Sequence, residues 1–492
     1  MSTPSVPNSS DIHPFIHGKV IASTSVDTIS VINPANGMRI AAMASGSQAD
    51  VDAAVASARR AFEHGAWRKA GPATRQKVLH DWADLVAKNA DRLDALDALE
   101  MGKPTSLKRF NALGSAGRIR YFSEALDKLF GEVSPSGPSM SIMRRGVPRG
   151  VVAAIVPWNF PTANVAVKAA PALAAGNSLV LKPSELASQS AVFLARLALE
   201  AGLPPGVFNV VPGKGDVVGR ALALHDDVDM LTFTGSSQVG KLMLQYAGQS
   251  NLKTVIAECG GKSPQIVFDD GVDLEQAADS IASMILLNSG QWCSAGSRLL
   301  VQRQIAEQLT TKVARRFAAS VLGSPMAADT TFGPLASRAQ MSRVLSYVEG
   351  SVREGAHIHT GGKRVLEESG GFFVEPTILT HVHEMSAVAQ EEVFGSVLAV
   401  MPFDNESDAI RLANGTPYGL AAYVWTASLS TAFRMSNEVQ AGTVVVNAAA
   451  SSGDGPGYAA SVEPYGLSGT GIEGGLAGLR TYQRQHQTWF NI

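Results

Sequence analysis

Cysteine is scarce in this sequence, with only Cys259 and Cys293 among 492 residues. Two cysteines cannot build a disulfide framework, and they form no C-x-x-C pair, so we expect a reducing compartment and no metal site. Charged residues make up only 17% of the chain, the net charge is −2, and no basic run is present. This composition argues against nucleic acid and against an anionic membrane as partners.

Long apolar runs are absent as well, because none reaches the roughly 18 to 20 residues that a membrane helix needs. Residues 1–11 are rich in Ser and Pro, and they lack the charged start and apolar stretch of a signal peptide. We therefore expect a cytoplasmic protein. The pairs His357/His359 and His381/His383 have no further His or Cys at ligand spacing, and their alternation predicts strands.

The chain has 45% hydrophobic residues, enough for a large core and for two or three domains. Apolar residues at helical spacing predict a helix from Arg75 to Glu100, which Gly102 and Pro104 end. Short apolar runs then alternate with Ala-rich helical stretches, which is typical of a parallel sheet with crossover helices. The predicted strands are 151–156, 178–181, 208–211 and 230–233, and a second α/β set begins at 265–268, with helices at 273–288, 304–321 and 341–354.

Cys293 lies among small, polar and glycine residues, in the segment NSGQWCSAGSR at 288–298. This setting suits a thiol that a substrate can approach. The alternative is a structural cysteine, since a free cysteine most often packs as a small buried hydrophobic residue. The segment alone leaves both interpretations open.

Polar residues follow the predicted strands where ligands bind in parallel sheets. Asn159, between two prolines, is placed to donate to an oxyanion, although a turn amide that satisfies its own backbone is the simpler explanation. The lysine and carboxylate of 182–185 (KPSE) suit a nucleotide ribose or a surface turn. The glycines of 213–219 match G-x-G-x-x-x-G, a weak signal, while 233–237 (FTGSS) precedes a helix whose amides could meet a phosphate.

Two glutamates complete the candidate chemistry. Glu258 follows an apolar run, so its pKa could rise far enough for it to act as a base. Glu392 lies in QEEVFG at 390–395. A solvated strand end and a surface turn are the alternatives for these two positions.

Taken together, these segments resemble the NAD(P)-dependent aldehyde dehydrogenase superfamily over roughly residues 15–490. Its γ-glutamyl-γ-aminobutyraldehyde dehydrogenase-like members are nearest in character. The matching motifs, in order, are 157–161 (PWNFP), 182–185 (KPSE), 233–236 (FTGS), 258–264 (ECGGKSP), 290–293 (GQWC) and 391–395 (EEVFG).

The resemblance implies roles for individual residues. Cys293 is similar to the nucleophile, Glu258 to the general base and Asn159 to the side-chain donor of the oxyanion hole, with Lys168 a secondary polar residue. The implied cofactor is NAD, with NADP the alternative, and the implied contacts are Trp158, Lys182, Ser184, Glu185, Gly215, Gly219, Phe233, Gly235, Ser236, Gly260, Glu392 and Phe394.

The implied reaction oxidises an aldehyde to its acid through a thioester on Cys293, which water activated by Glu258 hydrolyses. The alternatives are a CoA-acylating semialdehyde dehydrogenase, against which Glu258 argues, and a non-catalytic structural protein on the same scaffold. Two positions depart from the family pattern: Ser396 replaces a usual proline, and the stretch at 472–475 (IEGG) lacks the usual arginine.

The implied fold is α/β, with a Rossmann-like NAD-binding domain at 1–130 and 151–259, a catalytic domain at 260–470 and a small bridging β-sheet from 131–150 and 471–492. The bridging strands are expected at 139–145 and 485–491. Because an exposed arm of strands normally pairs with another subunit, we expect a homodimer or a homotetramer.

The substrate pocket is expected from Phe160, Val167, Trp292, Ser294, Ser452 and Asp454. Small residues at 448–461 together with Val167 predict a wide tunnel, and Asp454 and Glu463 could receive a polar or cationic tail or could simply be solvated. Trp292 could instead stack on an aromatic aldehyde. We expect medium-sized polar or aromatic aldehydes to be preferred over acetaldehyde.

Overall fold

The structure is a computed structural model that describes residues 11–448 and 457–491. Its helices are α1 Gln48–His64, α2 Pro72–Lys88, α3 Ala90–Met101, α4 Ala112–Glu124, α5 Pro161–Ala174, α6 Gln189–Glu200, α7 Arg220–Leu224, α8 Ser237–Gln249, α9 Leu274–Leu286, α10 Ala306–Ala318, α11 Arg338–Arg353, α12 Ala387–Gln390, α13 Glu406–Asn414, α14 Leu429–Glu438 and α15 Gly475–Thr481. A five-residue helical turn, Gly215–Gly219, precedes α7.

The strands in the same ranges are β1 Phe15–Ile16, β2 Lys19–Val20, β3 Thr28–Ile32, β4 Arg39–Ala44, β5 Glu132–Ser134, β6 Met140–Pro148, β7 Val151–Ile155, β8 Ser178–Lys182, β9 Phe208–Val210, β10 Met230–Thr234, β11 Thr254–Glu258, β12 Pro264–Val267, β13 Arg298–Gln302, β14 His357–Thr360, β15 Arg364–Val365, β16 Phe373–Val374, β17 Thr377–Thr380, β18 Val397–Phe403, β19 Tyr418–Gly419, β20 Ala421–Trp425, β21 Thr443–Val446, β22 Tyr465–Gly466, β23 Gly469–Thr470 and β24 Gln483–Asn491.

The largest sheet has the strand order β2-β1-β9-β8-β7-β10-β11-β23. Its centre, from β9 to β11, is parallel. Helices cover these strands, and β7 and β8 are buried at every residue, as their continuous apolar sequences require. The carboxyl ends of the parallel strands therefore meet at one edge, where the polar segments predicted from the sequence follow β7, β8, β10 and β11.

A second sheet has the order β14-β17-β18-β13-β12-β20-β21, and a third, β24-β6-β5, is antiparallel. The third sheet pairs Gln483–Asn491 with Met140–Pro148 over nine residues. Most of the predicted strands and helices are thus present, and the α/β class is confirmed. The division into an NAD-binding domain, a catalytic domain and a bridging arm stays a prediction.

Two predicted elements were wrong. The helix expected from Arg75 to Glu100 is two helices, because Asn89 (φ −103°, ψ 19°) leaves the helical conformation and its side-chain amide donates to the Leu85 carbonyl. The second histidine pair does not lie in a strand, since β17 ends at Thr380 and His381 has a φ of 55°. The first pair does lie in a strand, β14.

None of the helices within 11–448 and 457–491 is long and apolar enough to cross a membrane.

Candidate active site

Asn159 and the segment that carries Cys293 are joined by two hydrogen bonds. The Asn159 Nδ2 donates to the Gln291 carbonyl at 3.0 Å, and the Asn288 Nδ2 donates to the Asn159 carbonyl at 2.8 Å. Both bonds are buried, and Asn164 donates to the Asn159 Oδ1 at 3.1 Å, which fixes the orientation of the amide. One of the two Nδ2 hydrogens of Asn159 is used by the Gln291 carbonyl, and the amide has a second hydrogen that it can donate.

The Cys293 segment is bent sharply. Asn288 and Ser289 have φ values of 50° and 57°, and Gly290 follows at 75°. A Cβ on Gly290 would lie 2.3 Å from the backbone of Gly395, so the segment runs against the residues beside Glu392 and Phe394. These left-handed residues end the short helical turn at Leu287–Gly290, so Cys293 lies in the turn that follows it.

Gly260 and Gly261 lie between Glu392 and Cys293. A Cβ on Gly260 would stand 2.3 Å from a Glu392 carboxylate oxygen, and a Cβ on Gly261 would stand 2.6 Å from the Cys293 carbonyl oxygen. The Gly261 N–H donates to the Glu392 Oε1 at 3.1 Å. Glycine at both positions is therefore needed for the carboxylate and the thiol segment to approach the same stretch of backbone.

The surroundings of Cys293 favour the thiol form. Burial, followed by the Glu392 and Glu258 carboxylates, raises the pKa of Cys293 to about 12, although the Ser294 hydroxyl lowers it. Burial likewise raises the pKa of Glu392 to about 7. A positive charge brought next to these groups would favour the thiolate.

Glu258, at the end of β11, is 8% exposed, and its Oε1 has no hydrogen-bond partner. Burial raises its pKa well above the usual value, the nearby Glu473 carboxylate raises it further, and the Lys168 ammonium lowers it. Lys168 is fully buried on α5 and pairs with Glu473. The sequence reasoning missed Glu473, although the IEGG segment at 472–475 had been singled out for its missing arginine.

Cys259 is buried in a different cluster, and a Cβ on Gly240 would lie 2.6 Å from its sulfur. Cys293 packs instead at the margin of the cluster that contains Trp292 and Phe160. The two thiols therefore face different parts of the molecule.

The predicted cofactor residues gather at the edge of the large sheet. Lys182 is almost fully buried, its Nζ lies 3.2 Å from Glu185, and burial lowers its pKa. Ser184 closes a turn by accepting the Leu186 N–H, and Ser236 caps α8 by accepting the Val239 N–H at 3.4 Å. The Gly235 N–H donates to the Glu258 carbonyl at 3.0 Å, which ties the ends of β10 and β11 together.

Open space remains beside this edge. A Cβ on Gly215 would meet no atom within 4 Å, and one on Gly219 would come no closer than 3.7 Å to Ile155 and 3.9 Å to Lys182. Across the cleft, the Trp158 and Phe394 rings meet edge-on with centroids 5.3 Å apart, and Phe394 has a φ of 58°. Phe233 lies in β10 itself and is buried in the core, 3% exposed.

The pocket residues form a packed aromatic wall. The ring centroids of Phe160 and Phe110 are 4.6 Å apart, and those of Phe110 and Trp292 are 5.8 Å apart. The Arg109 guanidinium carbon lies 4.4 Å from the centroid of the Trp292 ring. The Trp292 indole is only 7% exposed, so it is part of this wall and not a free platform for a substrate ring. Phe110, Arg109 and Tyr458 were not expected from the sequence.

Val167 is half-buried on α5, Ser294 lies directly after Cys293, and Glu463 is exposed. Ser452 and Asp454 lie outside the described residues. Tyr458, where the described chain resumes, is anchored on α4: its hydroxyl donates to the Gly114 carbonyl at 2.7 Å, and Arg118 lies 5.1 Å from its ring. The Ser396 hydroxyl donates to the Ile285 carbonyl at 3.1 Å where a proline was expected.

Comparison with known proteins identifies the scaffold. Residues 20–488 match the aldehyde dehydrogenase family. The chain belongs to this family.

Similar members have known structures or curated sequences. An indole-3-acetaldehyde dehydrogenase of P. syringae, solved in complex with NAD+ and IAA, is 44% identical and has a TM-score of 0.95, with 98% of this chain and 96% of that chain covered. The γ-glutamyl-γ-aminobutyraldehyde dehydrogenase of Burkholderia cenocepacia is 44% identical with a TM-score of 0.94, over 98% and 96% of the two chains.

The curated NADP/NAD-dependent aldehyde dehydrogenase PuuC of Escherichia coli is 40% identical over 97% of this chain and 95% of its own. The resemblance, the aldehyde dehydrogenase fold and the reaction class expected from the motifs are thereby confirmed.

Proposed function

We propose that Cys293 is the nucleophile of this enzyme, Asn159 the side-chain donor of its oxyanion hole and Glu258 its general base. The protein is an NAD-dependent aldehyde dehydrogenase that oxidises an aldehyde to a carboxylic acid. The observation that carries the residue assignment is the pair of buried hydrogen bonds between the Asn159 loop and the Cys293 segment. These bonds support the assignment because they hold the Asn159 loop against the segment that carries Cys293.

In the first stage the Cys293 thiol gives its proton to water and its sulfur adds to the aldehyde carbon, and the developing oxyanion accepts hydrogen bonds from the Asn159 amide and the Cys293 backbone N–H. Bound NAD supplies a hydride acceptor. The hydrogen on the former carbonyl carbon leaves with its electron pair, and a thioester remains on Cys293. Glu258 then removes a proton from water, which attacks the thioester and releases the acid and the thiol.

The residues at the sheet edge fit NAD. We assign the adenosine ribose to Lys182 and Glu185, the pyrophosphate to the α8 N-terminus with Ser236 and Trp158, and the nicotinamide ribose to Glu392, with Phe394 beside the ring. The open space at Gly215, the contact of Gly219 with Ile155 and Lys182, and the close approach of Gly260 to Glu392 support this placement. Ser184, Phe233 and Gly235 shape the same edge.

The substrate is proposed to be a medium-sized polar or aromatic aldehyde. Relatives named for indole-3-acetaldehyde and for γ-glutamyl-γ-aminobutyraldehyde support both chemistries. Phe160 and Trp292 pack in one apolar cluster with Cys293 at its margin, which supports an apolar surrounding for the reacting end of such a substrate. CoA-acylating and non-catalytic alternatives are not favoured by these relatives.

We further propose that the strands β5, β6 and β24 form an arm that pairs with a second subunit, giving a homodimer or a homotetramer. The exposed side chains of Val133, Met143, Trp489 and Phe490 support this assembly. Two free thiols are compatible with a cytoplasmic location.

The test is NAD reduction with a panel of aldehydes, with and without CoA, for the wild type and for Cys293→Ala. We expect acid and NADH from the wild type without CoA, and no turnover by the variant, while its NAD affinity stays normal. NADH formation by Cys293→Ala would remove the nucleophile assignment, and turnover that depends on CoA would replace hydrolysis by acyl transfer.

A further inference from the structure

Helix α3 (Ala90–Met101) carries three carboxylates at a spacing of three residues: Asp94, Asp97 and Glu100. This spacing places them along one face of the helix. Asp97 and Glu100 are fully buried, and Asp94 is half-buried. Buried carboxylates are costly unless they are hydrogen-bonded, so their partners indicate what they do.

Each carboxylate accepts backbone N–H groups at the start of a different helix. Asp94 Oδ1 accepts the Ala112 N–H of α4 at 3.0 Å. Asp97 accepts the Thr162 N–H of α5 at 3.3 Å and the Thr162 hydroxyl at 2.9 Å.

Glu100 serves α6 in the same way. It accepts the Ser188 N–H at 3.2 Å and the Gln189 N–H at 3.1 and 3.2 Å. Free N–H groups at helix starts need such acceptors, and neither α5 nor α6 has a side-chain cap of its own.

The three capped helices follow three segments of the proposed site. The chain enters α4 from Arg109 and Phe110, which line the aromatic wall against Trp292. It enters α5 directly from Asn159 and Phe160, and it enters α6 from the Lys182–Glu185 turn.

The end of α3 extends these contacts to the nucleophile segment. Met101 packs with Ala187 and Ala336 and against Trp158. A Cβ on Gly102 would lie 2.8 Å from Pro334, and Ser289 of the Cys293 segment donates to the Gly333 carbonyl at 2.7 Å. Helix α3 is therefore in contact with the starts of α4, α5 and α6, and it reaches the Cys293 segment indirectly, through Gly102 and residues 333–334.

We propose that Asp97 and Glu100 are positioning residues with separate tasks: Asp97 sets the Asn159 loop for the oxyanion through α5, and Glu100 sets the adenosine-ribose turn through α6. This inference rests on the proposed roles of Asn159, Lys182 and Glu185. Neither carboxylate touches substrate or cofactor, so each acts only through the start of its helix.

The separation of tasks can be tested with two perturbations. Thr162→Val removes the hydroxyl that Asp97 binds and keeps the shape of the side chain, while Thr162→Ser keeps the hydroxyl. Glu100→Gln keeps the volume but turns an amide donor towards the N–H groups of α6. Rapid mixing measures the rate of the NADH burst at saturating NAD, and cofactor titration measures the Kd for NAD.

For Thr162→Val we expect a burst slower by about 10- to 100-fold, because small displacements of a catalytic group have effects of this size. The Kd for NAD should stay within about twofold, and Thr162→Ser should restore the burst. For Glu100→Gln we expect the reverse: a Kd weaker by about 10-fold, as for the loss of a hydrogen bond to a charged group, and an unchanged burst rate.

Ser428→Ala is the matched control, since Ser428 caps α14 away from the site and should affect only the Tm. If both variants change burst and Kd in equal proportion, or if they change only the Tm as the control does, the positioning roles are refuted. Should Thr162→Val not fold, Asp97→Asn replaces it with the same two readouts. A wild-type enzyme that binds NAD without oxidising any aldehyde would refute the proposed function, while the Glu100→Gln titration would still decide the cofactor half of this inference.

Discussion

Replacing Glu258 by Gln separates the two chemical stages of the proposed reaction. The side chain is 8% exposed and lies at the end of β11, so an amide of the same shape fits without repacking. The amide cannot take a proton from water. We expect hydride transfer to proceed and thioester hydrolysis to slow by about 10²- to 10⁴-fold, the usual contribution of a general base.

The assay is NADH absorbance after rapid mixing of enzyme with excess NAD and aldehyde. The variant should give a burst close to the enzyme concentration and then almost no turnover. Cys259→Ala is the control for a change in the adjacent buried residue, and it should keep both phases. Steady-state turnover near the wild-type rate, or the loss of the burst itself, would show that Glu258 is not the base.

The pH dependence follows from the surroundings of Glu258. Burial and Glu473 raise its pKa, and a base must be ionised to act, so hydrolysis by the wild type should speed up as pH rises through that pKa. Glu473→Gln removes one of the raising charges, so the pH at half-maximal hydrolysis should fall. Glu367 is an exposed carboxylate, so Glu367→Gln should leave the pH dependence of hydrolysis unchanged.

The remaining predictions concern other residues of the site. Asn159→Ala should lower kcat by about 10²- to 10³-fold with a smaller effect on the Kd for NAD, and an unchanged kcat would remove it from the oxyanion hole. Cys259→Ala should leave turnover near normal because its thiol lies in a separate cluster, and a loss as large as that of Cys293→Ala would contradict the assignment. Glu185 should disfavour a 2′-phosphate, so kcat/KM should be higher with NAD than with NADP, although Lys182 beside it reduces the repulsion; equal values would refute this role. The kcat/KM should be higher for benzaldehyde and 3-aminopropionaldehyde than for acetaldehyde. A clear preference for acetaldehyde would refute the prediction of a wide substrate tunnel.

Much of the fold could be predicted because its signals are local. Continuous apolar runs such as Val151–Ile155 can only be central strands of a covered sheet, and the polar residues that follow them must then meet at its carboxyl edge. Side-chain packing could not be predicted in the same way. From the sequence, Trp292 could stack on the ring of an aromatic aldehyde. In the structure, Arg109 and Phe110, which lie far away in the chain, cover its ring.

The acidic face of α3 shows why the deeper parts of the site were not found. Charged residues three apart on a helix usually form a solvated face, and nothing local in the sequence distinguishes Asp97 and Glu100 from such residues. Their burial is set by partners that lie 65 and about 88 residues later, at the starts of α5 and α6. These two helices have no side-chain cap of their own, and Asp97 and Glu100 of α3 accept the N–H groups at their starts instead. The N–H groups that these helix starts leave free are thus satisfied by buried carboxylates of another helix, a pairing that no local pattern reveals.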